Sequence, residues 1–154
     1  MKITLVCNCG LLIEAGGAAL LIDAPNGKLP PFGQFAPQAL QALLAAQPPY
    51  DHLAGVCFTH RHADHYDAEA AERLRAARPD VPVLLPEGEH GVFAAGAFTV
   101  EYAQTPHVPV PPKLMLPHWS LLVRGGGRTV YVTADSVPDA ALHRALLAGR
   151  TVDA

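Results

Sequence analysis

The sequence is poor in charge and in aromatic rings. Asp, Glu, Lys and Arg make up 16% of its 154 residues and the aromatics 6%, while 50% are hydrophobic. That balance excludes a disordered chain. Positive charge is not in excess: the net charge is −3 at pH 7 and the pI is near 6.2, so there is no basic footprint for nucleic acid. No apolar run approaches the ~20 residues of a membrane-spanning helix. The short apolar stretch after Met1-Lys2 is interrupted by Asn8 and Gly10, and no signal-peptide cleavage pattern follows it. Cysteine is scarce and odd in number, three in all, which argues for a reducing compartment over a disulfide framework. A cytoplasmic protein with neither a membrane nor a nucleic-acid partner is expected. At 16.3 kDa the chain fits one domain, residues 1–154. A chain of this size buries roughly two-thirds of its unfolded surface and needs no staple merely to fold.

What the sequence has in abundance is turns and histidine: fifteen prolines, thirteen glycines and eight histidines. Lys2 to Cys7 reads as a strand. Leu11–Ile13 and Ala18–Ile22 flank Gly16-Gly17, which permits the positive φ of a tight hairpin. Pro25 to Gly33 is too rich in breakers for regular structure. Pro37–Ala46 predicts a helix with Leu40, Leu43 and Leu44 in one stripe. Ala54–Thr59 predicts a buried strand. A second helix follows Tyr66, with Asp67 as N-cap, acidic residues early and arginines late. Val81–Leu85 and Phe98–Tyr102 read as strands. Ser120–Val123 and Thr129–Thr133 form a hairpin across Gly125-Gly126-Gly127, and Pro138–Ala148 is a third helix stopped by Gly149. Thr151–Ala154 reads as the start of a further strand. The class is α+β.

Residues 59–65 read Thr59-His60-Arg61-His62-Ala63-Asp64-His65, directly after a buried strand and before a helix. His60 and His62 are two apart and project to one side of an extended segment. Asp64 and His65 face a second point as the chain turns. Three imidazoles and a carboxylate suit a borderline cation such as zinc, whereas calcium and magnesium prefer oxygen ligands.

This run resembles the H-x-H-x-D-H signature of the metallo-β-lactamase superfamily, and further residues match that family's pattern. Asp23, ending Leu20-Leu21-Ile22-Asp23, corresponds to a family Asp that supports the metal loop without binding metal. His107, in Gln104-Thr105-Pro106-His107, corresponds to the third ligand of the first metal with His60 and His62. Asp135, in Thr133-Ala134-Asp135-Ser136, corresponds to the metal-bridging Asp, with Ala where the family usually has Gly. The family's final His has no counterpart, and His143 is too close and inside a predicted helix.

The resemblance implies an αββα four-layer sandwich lacking the last strands and helix, closest to the lactonase-like branch. It implies a hydrolase that activates water on one or two zinc ions, with manganese or iron as options. The small-molecule substrate would be an ester, a lactone or a phosphodiester. His60, His62 and His107 would hold the first metal. Asp64, His65 and Asp135 would hold a second, more weakly, with Asp64 also orienting the nucleophile. His118, before Trp119, is a second catalytic candidate: it could bind substrate, act as a general acid or be structural. The redox di-iron branch carries Glu where His62 stands, which argues against it. A truncated, non-catalytic metal-binding or interaction module is the alternative, and a homo-oligomer is an option. Cys7 and Cys9 are expected on one strand face, Cys57 in the core, and His52 and His90 at the surface.

Overall fold

The computed structural model describes all 154 residues as two facing sheets with helices outside. The first sheet holds β1 (Lys2–Leu5), β2 (Leu11–Ala15), β3 (Ala18–Ile22), β4 (Leu53–Cys57) and β5 (Val83–Leu84), in that order. β1 to β3 are antiparallel. β4 and β5 add in parallel, each reached through a helix: α1 (Pro37–Leu44) before β4 and α2 (Ala68–Ala77) before β5. The second sheet is an antiparallel meander of β6 (His90–Ala95), β7 (Phe98–Gln104), β8 (Trp119–Gly125) and β9 (Arg128–Val132), followed by α3 (Ala140–Leu147).

Strand alternation explains the layers. On β3, Ala19 and Leu21 face α1 and α2, meeting Leu43, Leu74, Val56 and Phe58. The intervening Leu20 and Ile22 face the second sheet, meeting Phe98, Leu121 and Val123. Both sets are fully buried. Each side chain of that size withdrawn from water contributes roughly 1.5–3 kcal/mol. On the outer face of the second sheet, Leu146 and Leu147 of α3 approach Tyr102, Leu122 and Tyr131. The order is therefore helix, sheet, sheet, helix, as the resemblance implies.

Several local expectations change. β1 stops at Leu5, because Val6 N–H donates to the Gly10 carbonyl at 2.8 Å and closes a bend. Cys7 and Cys9 lie in that bend and do not share a strand face. β6 has no counterpart in the sequence reading. The predicted strand at Thr151–Ala154 is not a regular strand, yet it runs beside β9. Asp153 N–H donates to Thr129 O and Tyr131 N–H to Ala154 O, both at 2.8 Å. The N-cap Asp67 accepts from Ala70 N–H at 3.0 Å, as expected. A second cap, Asp139, opens α3 and accepts from Ala141 and Leu142 N–H.

Candidate metal centre

Chain ends of both sheets meet at one edge of the sandwich. Asp23 follows β3, His60 to His65 follow β4, His107 follows β7, His118 immediately precedes β8, and Asp135 follows β9. The two sheets are stitched there by Trp119 N–H, which donates to Thr59 O at 3.0 Å, and within the second sheet Val108 N–H donates to Asp135 O at 2.7 Å. His107 also bridges to Ser136.

The rings of His60, His62 and His107 form a triangle with centroid separations of 4.7, 4.8 and 5.0 Å. Their ligand atoms lie within 4.8 Å of one another. His60, His65 and Asp135 form a second such group. Asp135 Oδ2 is central, 3.5 Å from His65 Nε2, 3.5 Å from His107 Nε2 and 3.9 Å from His60 Nε2. Asp64 Oδ2 is 3.8 Å from His65 Nε2. The structure thus brings together all six residues named as ligands from the sequence, with Asp64 at the margin of the cluster.

Hydrogen bonds on the outer side of each ring set its tautomer. His62 Nε2 contacts the Leu114 carbonyl at 2.7 Å, and a carbonyl only accepts, so Nε2 carries the proton and Nδ1 is bare. His107 Nδ1 likewise donates to Val108 O at 2.7 Å. The Thr59 hydroxyl donates to Asp23 Oδ2 at 2.7 Å, so it accepts from His60 Nδ1 at 3.1 Å. In the neutral rings the lone pairs are then on His60 Nε2 and His107 Nε2, and both atoms are buried without a hydrogen-bond partner. A buried polar atom without a partner carries a desolvation cost of about 1–3 kcal/mol. Lone pairs converging from separate strands match the donor set of a borderline divalent cation.

His65 differs. Burial alone would lower its pKa, but bonds to Asp135, Asp23 and Cys9 push it up to about 12. Its Nδ1–H is held by Asp23 Oδ2 at 2.9 Å with Cys9 Sγ at 3.2 Å, so its Nε2 is the position a cation would take from a proton. The same His65 contact holds Asp135 down at about 2. Burial and neighbouring imidazoles push His60 down to about 2.

Asp23 is 1% exposed and accepts from Thr59 N–H, the Thr59 hydroxyl and His65. The supporting role expected for it agrees with that geometry. His118 is also 1% exposed, its ring 5.0 Å from that of His60 and 5.6 Å from that of His107. Burial and His107 push its pKa down to about 4. His143 is used up by Tyr131 and the Val137 carbonyl, and His52 and His90 lie outside the cluster. Sequence reasoning missed the supporting groups. Asn26, 2% exposed, donates to Asp64 O and Gly33 O, and Thr59 and Thr105 hold histidines. Thr59, the residue just before His60, was within reach of the motif; Asn26 and Thr105 carry no local signal.

A cavity of about 240 Å³ opens beside His60, walled by Leu85, Leu116, Pro117 and Trp119 with Arg61 and Glu87 at its charged margin. Another, of about 260 Å³ under α3, touches none of the clustered histidines.

No protein-family model matches the chain, and no curated protein is significantly similar to it. Solved structures are similar. CmlA, a diiron β-hydroxylase from Streptomyces venezuelae, superposes with a TM-score of 0.67 at 17% identity, over 98% of this chain and 33% of its own. A possible metal-dependent hydrolase from Veillonella parvula gives 0.64 at 19% identity, over 97% and 68%. The metallo-β-lactamase fold protein YhfI from Bacillus subtilis gives 0.56 at 22%, over 88% and 57%. The chain has the metallo-β-lactamase fold, and it spans one third of CmlA and a little over half of YhfI.

Proposed function

We propose that the chain is a metal-dependent hydrolase of small molecules, acting on an ester, lactone or phosphodiester bond. The observation that carries the reading is the set of inward-facing ring nitrogens, each kept free by a hydrogen bond on the far side of its ring. His60 Nε2, His62 Nδ1 and His107 Nε2 would hold one cation. Asp135, His65 and Asp64 flank a second position. A divalent cation bound there would lower the pKa of water toward neutrality and would stabilise the negative charge that develops on a carbonyl or phosphoryl oxygen. Zinc and iron fit three imidazoles, and manganese would draw more on the carboxylates of Asp64 and Asp135. Asp64, buried beside His65, would orient the attacking water. The cavity beside His60 would receive the substrate's apolar portion, with Arg61 at its margin. The solved structures of this fold include possible metal-dependent hydrolases and a diiron hydroxylase, so the fold does not choose between hydrolytic and redox chemistry.

Two measurements test the proposal. Elemental analysis of protein purified without added metal is expected to find zinc, manganese or iron, and the double variant His60→Ala/His62→Ala is expected to lack it. Full metal content in that variant would overturn the site. The metal-loaded protein is then assayed on p-nitrophenyl acetate, a homoserine lactone and bis(p-nitrophenyl) phosphate. Turnover of at least one, lost in the double variant, supports a hydrolase. Tight metal binding without turnover of any favours the non-catalytic module, and iron with oxygen-dependent turnover favours redox chemistry.

A further inference from the structure

His118 stands outside both groups of converging ligand atoms, yet its Nε2 is buried and has no partner. Its other nitrogen begins a chain of hydrogen bonds whose direction can be followed from the far end. The Thr133 carbonyl can only accept, so the Ser120 hydroxyl, 3.4 Å away, donates to it. That uses the one proton of Ser120. The Thr105–Ser120 bond, 3.2 Å, is then donated by Thr105. That uses the one proton of Thr105. The 2.8 Å bond between Thr105 Oγ1 and His118 Nδ1 is therefore donated by the imidazole. His118 carries its proton on Nδ1, and Nε2 is a bare, buried lone pair on a ring whose centroid lies 5.0 and 5.6 Å from those of His60 and His107.

We propose that His118 is a hydrogen-bond acceptor for a water held beside the three-histidine group, with Nε2 kept unprotonated by the Thr105–Ser120–Thr133 chain. The general-acid role considered from the sequence requires a proton on Nε2, which this chain withholds. A ligand role would require Nε2 to join the converging atoms, and it lies outside both groups. The acceptor role rests on the reading of the site as a metal centre; the tautomer does not. Thr105 N–H also donates to the His118 carbonyl at 2.9 Å, so backbone and side chain of one residue fix the ring.

The test is long-range ¹H–¹⁵N NMR on histidine-labelled protein, metal-free and loaded with ¹¹³Cd. The expected result is an Nδ1–H His118 in both states. In the loaded state, cadmium coupling should reach His60, His62 and His107 but not His118, and a water cross-peak should reach the His118 ring. Ser120→Ala frees the Thr105 hydroxyl to donate to Nδ1, so a shift of His118 to the Nε2–H form and loss of the water cross-peak are expected. A purely structural His118 would show no water cross-peak in the loaded state. Cadmium coupling to His118, an Nε2–H form in the unaltered protein, or an unmoved tautomer in Ser120→Ala would each overturn the proposal. Should no cadmium bind at His60, His62 and His107, the metal-centre reading fails. The tautomer and its response to Ser120→Ala would still be read in the metal-free protein.

Discussion

At the scale of single residues, Asp23 concentrates the most consequence. Its carboxylate and the His65 ring are each 2% exposed and 2.9 Å apart, a buried pair held further by Thr59. Removing one partner of such a pair costs about 3–5 kcal/mol, because the other charge stays buried and unpaired. Asp23→Ala is expected to lower the urea midpoint of the metal-free protein by an equivalent amount; an unchanged midpoint would contradict the role. The histidines also set a pH profile for the metal-free protein. His60 and His118 have folded values of about 2 and about 4, below the ordinary 6.5, so the unfolded chain binds protons there that the folded chain refuses. Their contribution is intact above pH 6.5 and lost as pH falls toward those values, at about 1.4 kcal/mol per pH unit for each group. His65 has the opposite sign. Its value of about 12 gives stability that is complete below 6.5 and lost as pH rises toward 12. Urea midpoints of metal-free protein are therefore expected to peak near pH 6.5 and fall on both sides. A midpoint that rises steadily from pH 5 to 8 would contradict the assignment.

At the scale of elements, what was legible followed local chemistry. Gly16-Gly17 and Gly126-Gly127 have positive φ in hairpin turns, and the expected cap Asp67 holds the start of its helix. β6 was not legible, because His90-Gly91 opens it and its pairing with β7 shows only in tertiary context. A Cβ at Gly91 would come within 2.3 Å of the Tyr102 hydroxyl, so the glycine reads as a breaker while serving a close approach. Gly55 on β4 serves another. A Cβ there would meet the Ala95 Cβ at 2.6 Å, where β4 faces the second sheet. Neither atom can swing away on a flexible side chain. Gly55→Ala is expected to cost about 1–3 kcal/mol through overpacking, read as a lower thermal midpoint with unchanged secondary structure. A neutral result would mean that the sheets are free to separate.

At the scale of the whole molecule, the centre exists only when the two sheets are packed, since His60, His62 and His65 belong to the first and His107 and Asp135 to the second. The candidate ligands His60, His62, Asp64 and His65 could be named from the H-x-H-x-D-H spacing, and His107 and Asp135 from separate matches to the family pattern. The sequence could not reveal Thr105, Ser120 or Asn26, whose roles depend on strands far apart in the chain coming into register. A cation bridging the sheets should stabilise the fold by mass action, by about 2.7 kcal/mol when free metal is a hundredfold above its dissociation constant. The first position draws on three converging imidazoles, His60, His62 and His107, whereas the second has His65 and Asp135 with Asp64 only at the margin, 3.8 Å from His65 Nε2, so the two positions are unequal. Calorimetric titration with zinc is expected to give one tight equivalent, followed by weaker binding at His65, Asp135 and Asp64. The thermal midpoint should rise with the first equivalent and change little with the second, and His62→Ala should abolish the rise. Two equivalents of equal, tight affinity would show that some other group completes the second position.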